Sequence, residues 1–229
     1  MTALTPSPIG TELLDDPLAD PPAVQLSLRN IARANRWFGG HAAVRSGLAS
    51  LLPFPESTVT LLDVGTGSGD IPAMARHWAE RHGLVLRPVG LERHIAAAHL
   101  AASSGLPMIQ GCGGSLPLAN NSVDVVIVSQ VAHHLDRESF IALVNECVRV
   151  ARHGVVLADL RRSWLAARAW RPVGWLLRFD EYTIVDGITS LRRGYTVSEL
   201  KALLEASGVS TRVSLLRGVR LVAAWRVSS

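Results

Sequence analysis

The run Leu61-Leu62-Asp63-Val64-Gly65-Thr66-Gly67-Ser68-Gly69-Asp70 constrains this chain more than any other. A β-branched and apolar run ends in an acid, and three glycines follow at alternate positions. Backbone able to take positive φ therefore stands where a strand must turn into a helix. Such a strand-turn-helix opens an α/β fold, and the rest of the chain agrees. Apolar runs alternate with amphipathic ones, the pattern of a parallel sheet covered on both faces by helices. Strands are expected near 59–64, 85–91, 108–110, 123–129 and 154–159. Helices are expected over 71–82, 95–103, 137–151 and 197–207, the last opened by Thr196 as N-cap with Glu199 three residues on. Two closing strands near 209–216 and 219–227, joined by Arg217-Gly218, would form an antiparallel hairpin. That hairpin departs from the dinucleotide-binding sheet, whose last strand is normally parallel to its neighbours.

At 229 residues and 48% hydrophobic content the chain can hold one α/β domain with a small appendage. Residues 1–22, rich in Pro, Asp and Thr, read as a flexible leader in which Pro17, Pro21 and Pro22 oppose regular structure. Residues 23–54 read as an N-terminal helical lid. Leu26, Leu28, Ile31, Ala32, Trp37 and Phe38 give its first helix an apolar side, and Gly39-Gly40 ends it before a second helix that runs to Leu52 and Pro53. Residues 55–229 form the main domain, with a lid insertion at about 161–190.

The formal charge is +4, and Lys201 is the sole lysine among 23 basic residues. Arginines scattered among apolar residues do not make the clustered, aromatic-interleaved surface that tracks phosphate backbones, so a nucleic-acid partner is not expected. Cys112 and Cys147 are too few and too far apart for a disulfide framework or a metal cluster, and the N-terminus lacks a basic and apolar leader. Both features point to a reducing, cytoplasmic setting. The apolar stretch 164–177 is interrupted by Arg168, Arg171 and Pro172, so stable membrane insertion is not expected. A monomer or a homodimer is the expected state.

A dinucleotide turn has the spacing G-x-G-x-x-G, with an uncharged helix start facing the diphosphate. Here the third glycine comes one residue early, and Asp70 takes the sixth position. A carboxylate there repels a diphosphate and attracts an ammonium group, so the turn suits a nucleoside joined to an amino acid. Glu92, at the end of the second strand, is placed to accept hydrogen bonds from both ribose hydroxyls, a feature shared with nicotinamide-binding proteins.

The run from Leu61 to Asp70 resembles the first motif of the class I S-adenosylmethionine-dependent methyltransferases. The likeness continues through Gly111-Cys112-Gly113-Gly114-Ser115-Leu116-Pro117-Leu118, Ser122-Val123-Asp124-Val125-Val126 and Ser129-Gln130-Val131-Ala132-His133-His134-Leu135. These are similar to the third and fourth motifs of the small-molecule branch that includes the ubiquinone and menaquinone biosynthesis enzymes. The resemblance implies an α/β fold with a Rossmann-like seven-stranded sheet, helices on both faces, a C-terminal antiparallel hairpin and an N-terminal helical cover. It implies S-adenosyl-L-methionine as cofactor and S-adenosyl-L-homocysteine as product. The cofactor would be held by Asp63, Gly65, Thr66, Gly67, Gly69, Asp70, Glu92, Arg93, Cys112, Gly113 and Ser129. Cys112 is a departure, because the family places there an aspartate that binds the adenine amino group and a thiol is a weak acceptor. Adenine then falls to backbone groups near Gly113.

Transfer of a methyl group from a sulfonium is an in-line displacement that gains most from positioning, and a phenol or enol acceptor gains further from a base. His134 aligns with a histidine common in the family and is the first choice for that base, His133 the second. Arg36, Trp37, Arg162, Arg193 and Tyr195 are expected to bind the acceptor. Asp159-Leu160-Arg161-Arg162-Ser163 and the Arg-Arg pair before Tyr195-Thr196 resemble methyltransferases of bacterial polyketide and phenolic-lipid pathways. That implies O-methylation of a phenolic or enolic hydroxyl in secondary metabolism. No metal is expected, since the carboxylates are not spaced as a hard-cation cluster. Two further readings stand beside this one. A cofactor-binding scaffold with weak turnover is kept open by Cys112, and a nicotinamide-dependent oxidoreductase is disfavoured by Asp70 and the glycine spacing.

Overall fold

The computed structural model describes residues 10–216 and 219–227. Seven strands form one sheet: β1 (Thr58–Val64), β2 (Val85–Glu92), β3 (Met108–Gln110), β4 (Val123–Ser129), β5 (Ala151–Leu160), β6 (Val213–Leu216) and β7 (Arg220–Arg226). Their order is β3-β2-β1-β4-β5-β7-β6, with the first five parallel and β7 antiparallel to both its neighbours. The order reverses between β1 and β4, and in open α/β sheets ligands bind in the crevice at the carboxyl ends of such a pair. The expected antiparallel closing pair is present, and its Arg217-Gly218 connection lies outside the described residues. β6 starts at Val213 rather than 209, because the Val209 amide closes the preceding helix by donating to the Leu204 carbonyl at 2.9 Å past Gly208 at φ +76°.

The helices are α1 (Pro21–Trp37), α2 (Gly40–Ser50), α3 (Asp70–Glu80), α4 (Ile95–Ser103), α5 (Arg137–Val150), α6 (Trp164–Leu176), α7 (Glu181–Arg193) and α8 (Val197–Ala206). The period-2 geometry of the central strands sends alternate side chains to two cores. Leu62, Val64, Val126 and Leu157 pack with Phe140 and Leu143 of α5 and Leu200 and Leu204 of α8. Leu61, Val125, Ile127 and Val156 pack on the other face with Val44 and Leu48 of α2 and Ile71, Ala75 and Trp78 of α3. Burial on both faces is why these strands read as unbroken apolar runs. Among the described residues no helix is long and apolar enough to cross a membrane.

The insertion forms the α6–α7 hairpin, which joins α1 in a helical roof over the carboxyl edge of the sheet. Asn30 donates to Asp180 at 2.8 Å, and Arg33 donates to the Leu177 carbonyl at 2.9 Å. Residues 10–22 correct the expectation of a flexible leader. Glu12 is buried, a short turn over Leu13–Asp15 follows it, and Glu12 and Asp15 ion-pair with the buried Arg193 at 3.1 and 3.0 Å. Pro21 and Pro22 sit in the first turn of α1, behind the Asp20 cap, where a missing N–H leaves no bond unmade.

Candidate active site

A cavity of about 740 Å³ lies between the carboxyl edge of the sheet and the roof. Its sheet side is the glycine turn. Gly65, Gly67 and Gly69 take φ of +71°, +55° and +79°, and a Cβ added at Gly65 would also run into Val131. The turn's amides are already bonded: Gly65 and Thr66 donate to the Leu91 carbonyl at 2.8 and 3.2 Å, Gly67 to Glu92 Oε2 at 3.0 Å and Gly69 to the Thr66 carbonyl at 2.9 Å. A diphosphate at a helix start depends on free amides of this kind.

The turn presents negative charge instead. Asp63, Asp70 and Glu92 line the cavity around it, and none ion-pairs with an arginine or lysine among the described residues. Burial pushes the Asp63 carboxyl up to about 8, against the pull of the Thr66 hydroxyl at 2.6 Å and with the charges of Asp70 and Glu92 adding to the rise. Glu92 is oriented by the Arg93 and His94 amides at 2.9 and 3.0 Å. Asp70 accepts from Asn35 at 3.1 Å and pairs with His41 at 2.9 Å, so it also fastens α1 and α2 to the turn. Ser129 Oγ is buried at the cavity wall without a hydrogen-bond partner.

Beyond β4, Gln130 turns the chain at φ +57°, its amide donating to the Ala158 carbonyl at 2.8 Å. Its side chain donates to Asn35 and accepts from Arg220, both at 2.5 Å, which links the roof to β7. Burial holds the Arg220 guanidinium down at about 10, with Asp159 and Asp70 opposing. The turn Ala132–His134 follows. His133 is buried; its Nδ1 lies 2.6 Å from one Asp159 oxygen, and its backbone amide donates to the other at 3.1 Å. Burial alone would raise the Asp159 carboxyl, but the His133 imidazole and the amides of Leu160 and His133 outweigh it and hold the group below the usual range. His133 Nε2, on the other side of the ring, is buried with no hydrogen-bond partner among the described residues.

His134 Nδ1 lies 3.0 Å from Asp15 Oδ1 and 3.1 Å from the Arg193 guanidinium, so its ring is held from two sides. Its Nε2 lies 3.7 Å from Glu12 Oε2, while His133 Nε2 lies 4.0 Å from Glu12 Oε1. Two imidazole Nε2 atoms and the Glu12 carboxyl thus face one gap, within 4.8 Å of one another. Burial pushes Glu12 up to about 7, countered in part by His134, Arg193 and the Ser190 hydroxyl. The Arg193 guanidinium, 3.1 Å from Glu12, supplies a cation behind the gap.

Most of the expected site residues therefore meet in one cavity: Asp63, Gly65, Thr66, Gly67, Asp70, Glu92, Arg93, Cys112, Gly113, Ser129, His133, His134, Arg36 and Trp37. Four are placed elsewhere. Gly69 is the N-cap of α3 and faces Leu106. Arg162 is drawn outward by Glu199 at 2.9 Å and by the Gly194 carbonyl. Arg193 is engaged behind the wall with Gly10, Glu12, Asp15 and His134 Nδ1. Tyr195 is buried, its hydroxyl donating to the Ala132 carbonyl at 2.6 Å, and burial pushes the hydroxyl well above the usual phenol range so that the proton stays. Arg193 and Tyr195 thus position the histidine turn without reaching the acceptor. Sequence reasoning missed Glu12, Asp15, Asn35 and Arg220, which belong to no spaced motif, and gave no role to Gln130 inside the run from Ser129 to Leu135.

Comparison with known proteins agrees with this geometry. The family model described as "Methyltransferase domain" matches residues 62–158. Those residues, less than half of the chain, are thus similar to a methyltransferase domain. It is 32% identical over 138 residues to an uncharacterized methyltransferase of Mycobacterium avium, covering 60% of this chain and 49% of that relative. It is 28% identical over 223 residues to a malonyl-[acyl-carrier protein] O-methyltransferase of Methylococcus capsulatus, covering 82% and 78% of the two chains. The chain spans about half the length of the first curated relatives it matches. Magnesium protoporphyrin IX methyltransferase from Synechocystis, solved with bound S-adenosylhomocysteine, superposes with a TM-score of 0.57 at 15% identity, over 90% of this chain and 87% of that one. The fold is that of the class I S-adenosylmethionine-dependent methyltransferases, and S-adenosylmethionine is the cofactor such a domain uses.

The residues present fit that cofactor. Bonded turn amides, an unpartnered hydroxyl and three carboxylates without arginine or lysine suit ribose, ammonium and sulfonium groups. A cation brought beside Asp63 favours its charged form, so binding of S-adenosylhomocysteine at pH 7 is expected to release a fraction of a proton. Calorimetry in buffers of different ionisation enthalpy measures it. Before binding, the folded carboxyl at about 8 stands above its ordinary value of 3.8. The folded state therefore holds more protons between those values, and the cofactor-free protein should lose stability as pH rises through that window. At Cys112, restoring an aspartate is expected to tighten S-adenosylhomocysteine binding about tenfold, the worth of one charge-assisted hydrogen bond, readable by the same titration.

Proposed function

We propose that this protein transfers the methyl group of S-adenosylmethionine to a phenolic or enolic hydroxyl of a small, polyketide-like molecule. The observation that carries this reading is the gap bounded by His133 Nε2, His134 Nε2 and Glu12, a place built from acceptors that a donating hydroxyl fits. When bound, the cofactor would supply an electrophilic methyl group on a sulfonium, with a neutral thioether as its leaving group. The chain's own part is to remove the hydroxyl proton, hold the oxygen in line and exclude water. His133 is the better placed base, because Asp159 fixes its tautomer and steadies the imidazolium that forms. Trp37 and Trp170 of the roof, with Leu28, Ile31 and Val173, give the acceptor an apolar wall.

The relative from Methylococcus capsulatus is named for a malonyl-carrier substrate, whose methylated group would be a carboxylate. Glu12, Asp15, Asp159 and Asp186 crowd this end of the cavity and oppose a carboxylate acceptor. A panel of soluble phenols, enols and carboxylic acids, followed by mass spectrometry for S-adenosylhomocysteine and methylated product, tests the reading. Methyl ethers are expected. Methyl esters without ethers would overturn it. Arg193 already serves as the cation beside Glu12, so chelation of divalent metals is expected to leave the rate unchanged in the same assay.

A further inference from the structure

Helix α6 has two unlike faces. Ala166, Ala169, Trp170 and Val173 line the cavity. On the outside Trp164, Leu165, Trp175 and Leu176 are 66%, 64%, 80% and 75% exposed. Trp37 of α1, 52% exposed, stands at the same rim, because Arg33 lies 5.2 Å over its ring and donates to the Leu177 carbonyl at the end of α6. Trp78 and Trp225 are buried and Trp170 is half-buried, so the three exposed tryptophans of the chain all belong to the roof. Large apolar side chains concentrated on one outer face mark a surface that something covers.

Charge says what covers it. No acidic residue occurs between Asp159 and Asp180, whereas Arg161, Arg162, Arg168, Arg171 and Arg178 all fall in that interval and are exposed. Arg162 and Arg171 pair with Glu199 and Glu181, but Arg161, Arg168 and Arg178 form no ion pair among the described residues. Tryptophan and leucine on a helix edged by unpaired arginine match the boundary between headgroups and acyl chains, with anionic headgroups as counter-charge. At 13 residues α6 can lie along a bilayer surface and cannot cross it.

We propose that the outer face of α6, together with Trp37, docks this protein on an anionic lipid bilayer with the cavity mouth toward the lipid. A lipophilic acceptor then reaches the cavity from the lipid without passing through water. Docking stands on the surface alone, and only the nature of the acceptor rests on the O-methylation reading above.

The test is co-sedimentation of the whole chain with vesicles of phosphatidylcholine alone and of an equal mixture of phosphatidylcholine and phosphatidylglycerol. Binding to the mixed vesicles, weaker in high salt and accompanied by a blue shift of tryptophan emission, is the expected result. The double variants Trp164→Ser/Trp175→Ser and Arg168→Glu/Arg178→Glu are each expected to lower the bound fraction about tenfold or more. Both should retain S-adenosylhomocysteine binding and turnover of a soluble phenol, since none of the four residues lines the cavity. Failure to sediment with mixed vesicles overturns the proposal. So does a dimer that dissociates in Trp164→Ser/Trp175→Ser, because a second copy would then be the occupant. Loss of phenol methylation with vesicle binding intact would instead sink the proposed reaction and leave the docking surface standing.

Discussion

Gly67→Asp is expected to abolish S-adenosylhomocysteine binding and to leave the fold in place. Gly67 sits at φ +55°, and an added Cβ would meet only the Leu28 side-chain tip at 3.1 Å. Aspartate is among the residues that tolerate such a backbone, at an expense of roughly 1–2 kcal/mol. The damage falls on the ligand. The new carboxylate enters the space over the turn and stands beside Glu92, whose Oε2 accepts from the Gly67 amide at 3.0 Å. Glu92 is then pushed from the position where it would receive ribose hydroxyls. Affinity is expected to fall more than a hundredfold by calorimetry, about 3 kcal/mol, while the thermal melt without ligand shifts by only a few degrees. Gly67→Ala separates bulk from charge and is expected to weaken binding by about tenfold. Wild-type affinity in Gly67→Asp would mean that the nucleoside does not lie over this turn at all.

The contrast between what the sequence discloses and what it conceals follows from how each feature is encoded. The sheet was legible because burial on both faces writes unbroken apolar runs, so β4, buried along its whole length, falls where the periodicity puts it. The cofactor turn was legible because positive φ demands glycine and a strand end demands a particular register. The acceptor end was not, because its chemistry is assembled from long-range ion pairs. Glu12 and Asp15 look like ordinary acids of a proline-rich leader until Arg193, some 180 positions away, is folded beneath them. Arg193 itself reads as an acceptor-binding cation, and only topology turns it behind the cavity wall onto Glu12 and Asp15. Gln130 in a left-handed conformation breaks the expectation for a non-glycine residue, and such departures gather at functional sites.

The two histidines divide by what stands behind each ring. His133 Nδ1 lies 2.6 Å from Asp159, buried at the end of β5, whereas His134 leans on Asp15 of the N-terminal segment and is partly exposed. A base needs its unprotonated nitrogen toward the acceptor and a fixed partner for the other, and His133 meets both conditions with a wholly buried carboxylate. His133→Ala is therefore expected to lower kcat by about 10²–10⁴ with S-adenosylhomocysteine affinity unchanged, the range of one general base. Imidazole added to that variant should restore part of the rate, which a purely structural loss would not allow. Asp159→Asn keeps the shape, but its amide can present a donor to Nδ1, so the ring then turns its proton toward the acceptor; a fall of comparable size in kcat is expected. His134→Ala, by contrast, should cost about tenfold or less and act mainly on KM, since the ring is partly exposed and leans on the N-terminal segment. If His134→Ala were the more damaging variant, and imidazole failed to rescue His133→Ala, the base would be His134 after all and Asp15 its orienting carboxylate.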